Sequence, residues 1–131
     1  MPAPDFKECA RILDYRRLGK QRVEAYQILN TLRGESLGWR NHPAVKMWAG
    51  YEPALKQYGR EMCLEWRARG YKDNMLERFV LDAPVVLPTW LGDSRLHISH
   101  QSNLIRKDPE YYKDKFPNVP ADLPYFWITK G

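Results

Sequence analysis

The chain reads as all-α: a single compact domain over residues 1–131, with three main helices, several short ones and an irregular aromatic C-terminal tail. Two long segments carry apolar residues at helical spacing instead of in alternation. The one strand-like run, Val85-Val86-Leu87, is bounded by prolines and too short to found a sheet. Capping and stop residues fall where helices need them, Asp5 and Asp93 ahead of periodic segments and Gly34 and Gly70 behind them.

Taken in order, Asp5 with Glu8 has capping-box spacing, with Asp in place of Ser or Thr, and opens a short helix over Phe6–Ile12. The first main helix runs from about Asp14 to Leu32 and stops at Gly34. Gly19 lies inside it at a cost of about 1 kcal/mol relative to Ala, which implies close approach by another backbone or a ligand. A loop over Gly34–Asn41 ends in His42-Pro43, and Pro43 suits the first position of a short helix through Trp48. Glu52-Pro53 starts a long helix whose stripe is Tyr51, Leu55, Tyr58, Met62 and Trp66, with Gly70 as its stop. A short helix is expected over Asn74–Leu81 and an extended apolar link over Ala83–Pro88. The third main helix is Ser94–Lys107, capped by Asp93, and Pro109–Lys115 gives a final turn or two. From Phe116 onward the spaced prolines and aromatics describe an irregular tail packed over the surface.

Composition narrows the class of function. Hydrophobic content of 44% suits one folded core, and the formal charge is +5. That charge is uneven: Arg11, Arg16, Arg17, Lys20 and Arg22 face only Asp14 over residues 11–22, a local excess that favours a phosphate-rich partner. Two cysteines, Cys9 and Cys63, are too few for a disulfide framework and fit a reducing cytoplasm. The sequence has no apolar run of membrane-spanning length and no signal-peptide pattern, so a soluble cytoplasmic protein is expected.

The first main helix carries the chemistry. At about 100° per residue, Arg17, Lys20, Gln21, Gln27 and Thr31 fall within about 60° of Glu24, while Leu18, Ala25, Leu29 and Leu32 gather on the core side. A lone carboxylate ringed by bases suits reaction at a phosphate backbone. The bland alternative is a solvated Glu24 paired with Lys20 one turn earlier, worth a few tenths of a kcal/mol.

Asp14, Leu18 and Glu24 are followed by Asn41-His42-Pro43-Ala44-Val45, by a helix with Tyr51, Leu55 and Tyr58 closing at Arg69-Gly70-Tyr71, by Ser99-His100-Gln101-Ser102-Asn103-Leu104, and by Lys107 and Tyr111-Tyr112. In that order these segments resemble the pyrimidine-dimer DNA glycosylase family (phage endonuclease V-like), especially its small bacterial and phage members. The resemblance implies a DNA glycosylase with abasic-site lyase activity acting on double-stranded DNA. The implied nucleophile is the α-amine of the second residue, exposed once the initiator Met is removed; here that is Pro2, whose secondary amine can form an iminium ion. Glu24 is the implied catalytic carboxylate, stabilising positive charge as the base departs and moving protons in the later elimination. Ala3 departs from the family's basic third residue, and Lys20 is the fallback nucleophile.

Other positions carry two readings. Arg16, Arg17 and Lys20 are expected on phosphates, with Gln21 beside them. Arg22 lies on the supposed core side, either snorkelling to end in solvent or pair with a carboxylate such as Asp14 or Glu61, or threading a crevice to reach a base or flipped nucleotide. Arg40, Asn41 and His42 form a polar cluster before a helix start, where phosphate binding competes with ordinary loop polarity and an Asn41 cap. His97 and His100 stand near Asp93 but lack a third strong ligand, so no metal is expected. Ser99, His100 and Asn103 are expected to face DNA or buttress the site, and Arg106 and Lys107 to grip the backbone. Trp39, Trp48, Trp66, Trp90 and Trp127 read mostly as core, whereas Tyr111, Tyr112, Tyr125, Phe126 and Trp127 could stack on bases. No small-molecule cofactor is expected, and a monomer is. The competing readings are a glycosylase for another lesion or a phage-modified pyrimidine, and a non-catalytic basic helical DNA-binding protein.

Overall fold

The computed structural model of the chain describes residues 1–35 and 41–126. The two long amphipathic segments form the frame: α2 (Tyr15–Leu32) lies principally against α4 (Glu52–Ala68), and α4 also holds α1 (Phe6–Ile12). Leu18, Ala25, Ile28 and Leu29 of α2 meet Ala54, Leu55, Tyr58, Met62 and Cys63 of α4, all buried. A fully buried leucine contributes about 1.5–3 kcal/mol, so these faces fix the pairing. Thr31, expected on the polar side, is buried, its hydroxyl donating to the Gln27 carbonyl at 2.9 Å. Gly19 answers a side chain, not a backbone or ligand: a Cβ there would lie 3.1 Å from the Trp66 ring.

The short helices follow local chemistry. Asp5 caps α1 by accepting from the Glu8 amide at 2.9 Å. α3 (Pro43–Trp48) is capped by His42, whose Nδ1 accepts from the Ala44 amide at 3.1 Å, in place of Asn41. α5 (Ser94–Lys107) is capped by Asp93, and α6 (Pro109–Tyr112) ends sooner than Lys115. The helix expected over Asn74–Leu81 is only a 3-10 turn, Leu76–Arg78. The Asp73 carboxylate takes the Met75 and Leu76 amides at 3.2 and 3.0 Å, and Phe79 then drops flat onto Gly59, where a Cβ would be 2.5 Å away.

Val85, Val86 and Leu87 are extended and exposed, and no strand forms among the described residues. The tail is irregular but stitched to α5: Ser102 Oγ accepts from the Leu123 amide at 3.0 Å and Ser99 Oγ from the Phe126 amide at 3.1 Å. Tyr112 donates its hydroxyl to the buried Asp14 carboxylate and accepts from the Asp14 amide at 2.8 Å, tying α6 to the start of α2. No described helix is long and apolar enough to cross a membrane.

Candidate active site

A cavity of about 610 Å³ opens where α2 and α5 face each other over α3 and α4, with the N-terminal arm entering it and Tyr125 at its edge. From α2 come Arg17, Lys20, Gln21, Glu24 and Ile28, which share one face at helical spacing. From α5 come Leu96, His100, Asn103 and Lys107, again one face. Tyr58, Trp48 and Trp90 supply aromatic walls, Trp48 stacking on Tyr58 at 5.6 Å and meeting Trp90 edge-on at 5.0 Å.

Glu24 is half-buried, and its Oε2 accepts from Gln21 Nε2 at 2.7 Å. Tyr58 donates its hydroxyl to Gln21 Oε1, also at 2.7 Å. A phenol donor on the amide oxygen leaves the amide nitrogen facing Glu24, so the two bonds fix each other. Burial pushes the Tyr58 phenol well above its ordinary pKa, keeping it a donor. Among the described residues Glu24 has no ion pair, and the Lys20 pairing does not form.

The group set into the cavity is the Met1 α-amine; Pro2 is buried beside it, with its nitrogen in the peptide bond. The amine, on a half-buried Met1, donates to His100 Nδ1. Burial lowers its pKa from 8.0 to about 6, against the opposing pull of Cys9 and Glu24. A large share of it is therefore neutral at physiological pH.

The arm is held along its main chain. His97 Nε2 accepts from the Gly92 amide at 2.9 Å, so Nδ1 carries the proton and donates to the Met1 carbonyl at 2.8 Å. Gln101 Nε2 donates to the Pro2 carbonyl at 2.7 Å, and Cys9 Sγ to the Ala3 carbonyl at 3.0 Å. Both histidines stay neutral: burial lowers His97, and burial plus the adjacent amine takes His100 to about 2. Among the described residues no group of three His, Cys, Asp or Glu could hold a metal ion.

Of the sequence candidates, Pro2, Arg16, Arg17, Lys20, Gln21, Glu24, His42, His100, Asn103 and Lys107 line the cavity. Arg16 and Lys20 are exposed there, while Arg17 pairs with Asp14 at 3.1 Å. Arg22 does not line the cavity: its guanidinium stacks over Trp66 at 4.5 Å and pairs with a carboxylate, that of Asp73 and not Asp14 or Glu61. Asn41 is exposed outside the cavity, and Arg106 holds the Leu123 carbonyl at 3.1 Å. Arg40, Trp39 and Trp127 lie outside the described residues.

Sequence reasoning missed the arm's holders, His97 and Gln101, and the Tyr58–Gln21 link. The first pair sits on a recognisable segment, but its ligands are main-chain carbonyls nearly a hundred positions away, which no spacing encodes. Tyr58 was legible only as a core aromatic.

Compared with known proteins, the chain matches the family model described as pyrimidine dimer DNA glycosylase over residues 1–78, more than half its 131 residues. The matched stretch includes the N-terminal arm, Glu24, Gln21 and Tyr58. No curated protein and no solved structure matches.

Proposed function

The chain belongs to the pyrimidine dimer DNA glycosylase family, and we propose that it excises a damaged or modified pyrimidine from double-stranded DNA through an imine on its N-terminal amine, assisted by Glu24. The observation that carries this is the α-amine set into the cavity, partly neutral near pH 7, beside a carboxylate with no ion pair among the described residues. A neutral amine is a nucleophile, and its burial keeps it so without a general base.

Arg16, Lys20 and Lys107 hold phosphates around the cavity while a nucleotide is extruded into it. The amine lone pair attacks C1′, and the glycosidic bond breaks with its electron pair leaving on the base, which is protonated. Opening of the C1′–O4′ bond and loss of an amine proton give the ring-opened imine. Removal of a C2′ proton then expels the 3′ phosphate with the C–O electron pair, the abasic-site lyase step. Glu24 stabilises the cationic carbon in the first stage and is placed to take the C2′ proton in the second. The amine is that of Met1 as the chain stands, or the secondary amine of Pro2 once Met1 is removed; Pro2 would give an iminium ion with a fixed charge.

Borohydride trapping on an abasic-site duplex, with the adduct mapped by mass, tests the mechanism. An adduct on the first residue, abolished by acetylating the N-terminus, is expected. An adduct on Lys20 would move the nucleophile, and no adduct at all would remove the imine. Comparing base release from irradiated and phage-modified DNA identifies the pyrimidine.

A further inference from the structure

We propose that Asn103 reads the edge of the extruded nucleobase, so that the cavity takes one nucleoside at a time with its base against the Asn103 carboxamide. This rests on the glycosylase reading above and specifies its substrate contact. Asn103 is only 6% exposed and lines the cavity, yet its Nδ2 has no hydrogen-bond partner among the described residues. Folded proteins seldom leave a buried amide unpaired, because the lost hydration is not replaced. Its neighbours are engaged: Ser99 and Ser102 hold the tail, Gln101 holds Pro2, and Gln21 bridges Tyr58 and Glu24. Asn103 is a polar group of this face left available for a ligand.

The surroundings fit a nucleobase rather than an anion. A carboxamide is neutral and presents a donor beside an acceptor, the pattern that pairs with N3–H and O4 of thymine or, turned over, with N3 and N4–H of cytosine. Tyr58, Trp48 and Trp90 offer aromatic surface for the base, and about 610 Å³ is ample for one nucleoside. Lys107 lies one turn further along the same face of α5, roughly 6 Å on, and is exposed, as is Lys20 across the cavity. A buried base with its phosphates in solvent meets that order of groups.

The test uses fluorescence anisotropy at fixed salt with two duplexes, one carrying a single bulged thymidine and one a bulged tetrahydrofuran abasic analogue. The protein is expected to prefer the thymidine bulge by roughly tenfold. Asn103→Leu should erase that preference, leave affinity for the tetrahydrofuran bulge and borohydride trapping on a natural abasic site unchanged, and keep or raise the melting temperature, since it deletes an unpaired buried amide. Asn103→Asp, close in shape but without the donor, should shift preference toward a bulged deoxycytidine. The proposal is overturned if the unaltered protein shows no preference, if Asn103→Leu retains it, if that variant melts lower and weakens both duplexes alike, or if Asn103→Asp leaves the preference unchanged. Absent trapping would sink the imine mechanism; trapping without base preference would sink this inference alone.

Discussion

Two faces of α2 carry charge, and they use it differently. Arg22 and Glu24 are two residues apart, hence about 200° apart around the helix. On the Arg22 side the charges are paired: the guanidinium stacks on Trp66 and pairs with Asp73, whose side chain is fully buried and also takes Arg67 at 3.2 Å and two backbone amides. Burial alone would raise the Asp73 carboxyl, but the hydrogen bonds from Arg22, Leu76 and Met75 outweigh it and hold the pKa below its ordinary value. On the Glu24 side the carboxylate has a single amide donor and no ion pair among the described residues, and its neighbours around the cavity are an amine and exposed cations. A charge cluster closed on itself fixes shape; a charge left without an ion pair beside a cavity has capacity for chemistry.

Glu24→Gln should give the largest functional effect, a fall in single-turnover base release of at least about 100-fold, with DNA affinity unchanged or improved because a negative charge is gone. Retained turnover would reduce both faces of α2 to scaffolding. Arg22→Met should do the reverse. Removing one member of a buried pair costs about 3 kcal/mol, read as a lower denaturation midpoint, while base release per folded molecule stays level. A catalytic defect in a stable Arg22→Met protein would return Arg22 to the DNA interface.

The third prediction concerns pH. With the amine near 6, its neutral fraction drops about tenfold between pH 7 and pH 5, and trapping rates should follow. The sign for stability agrees: the folded-state value lies below the ordinary 8.0, so the arm's contribution is complete above pH 8 and lost as pH falls through about 6. A limb near 8 would mean the amine works from solvent. Smaller still, Lys20→Ala and Lys107→Ala should each weaken DNA binding several-fold and lower the salt slope by about one, with trapping intact. Loss of trapping in Lys20→Ala alone would identify the fallback nucleophile.

The frame was legible because Leu18, Ala25 and Leu29 repeat at helical spacing and meet a second stripe, Leu55, Tyr58 and Met62, of the same kind. Glu24 was legible as an acid among bases. What sequence did not disclose were pairings set by distant chain: Ser99 and Ser102 holding the tail, and His97, a metal candidate by spacing, serving the Met1 carbonyl. Each of these is a side chain bonded to main chain more than twenty positions away, so no local pattern carries it.

The finest probe of the contrast is Tyr58→Phe. The Tyr58 hydroxyl never reaches substrate in this reading; it holds Gln21 Oε1, which turns Gln21 Nε2 toward Glu24, and Phe keeps the ring that walls the cavity. Losing the phenol frees the amide to flip and present its oxygen to the carboxylate, a repulsive arrangement that lets Glu24 turn away. The net worth of one such bond is about 1 kcal/mol, so kcat should fall about fivefold while KM holds. Gln21→Glu should do worse, because it removes the amide donor and sets a second negative charge against Glu24. On the Arg22 face even the larger loss in Arg67→Met, two bonds to Asp73 and one to Glu77, should leave kcat untouched, since Asp73 keeps Arg22 and two amides. Equal responses to Tyr58→Phe and Arg67→Met would mean that orientation of Glu24 is not limiting, and that its charge alone distinguishes the working face of the helix.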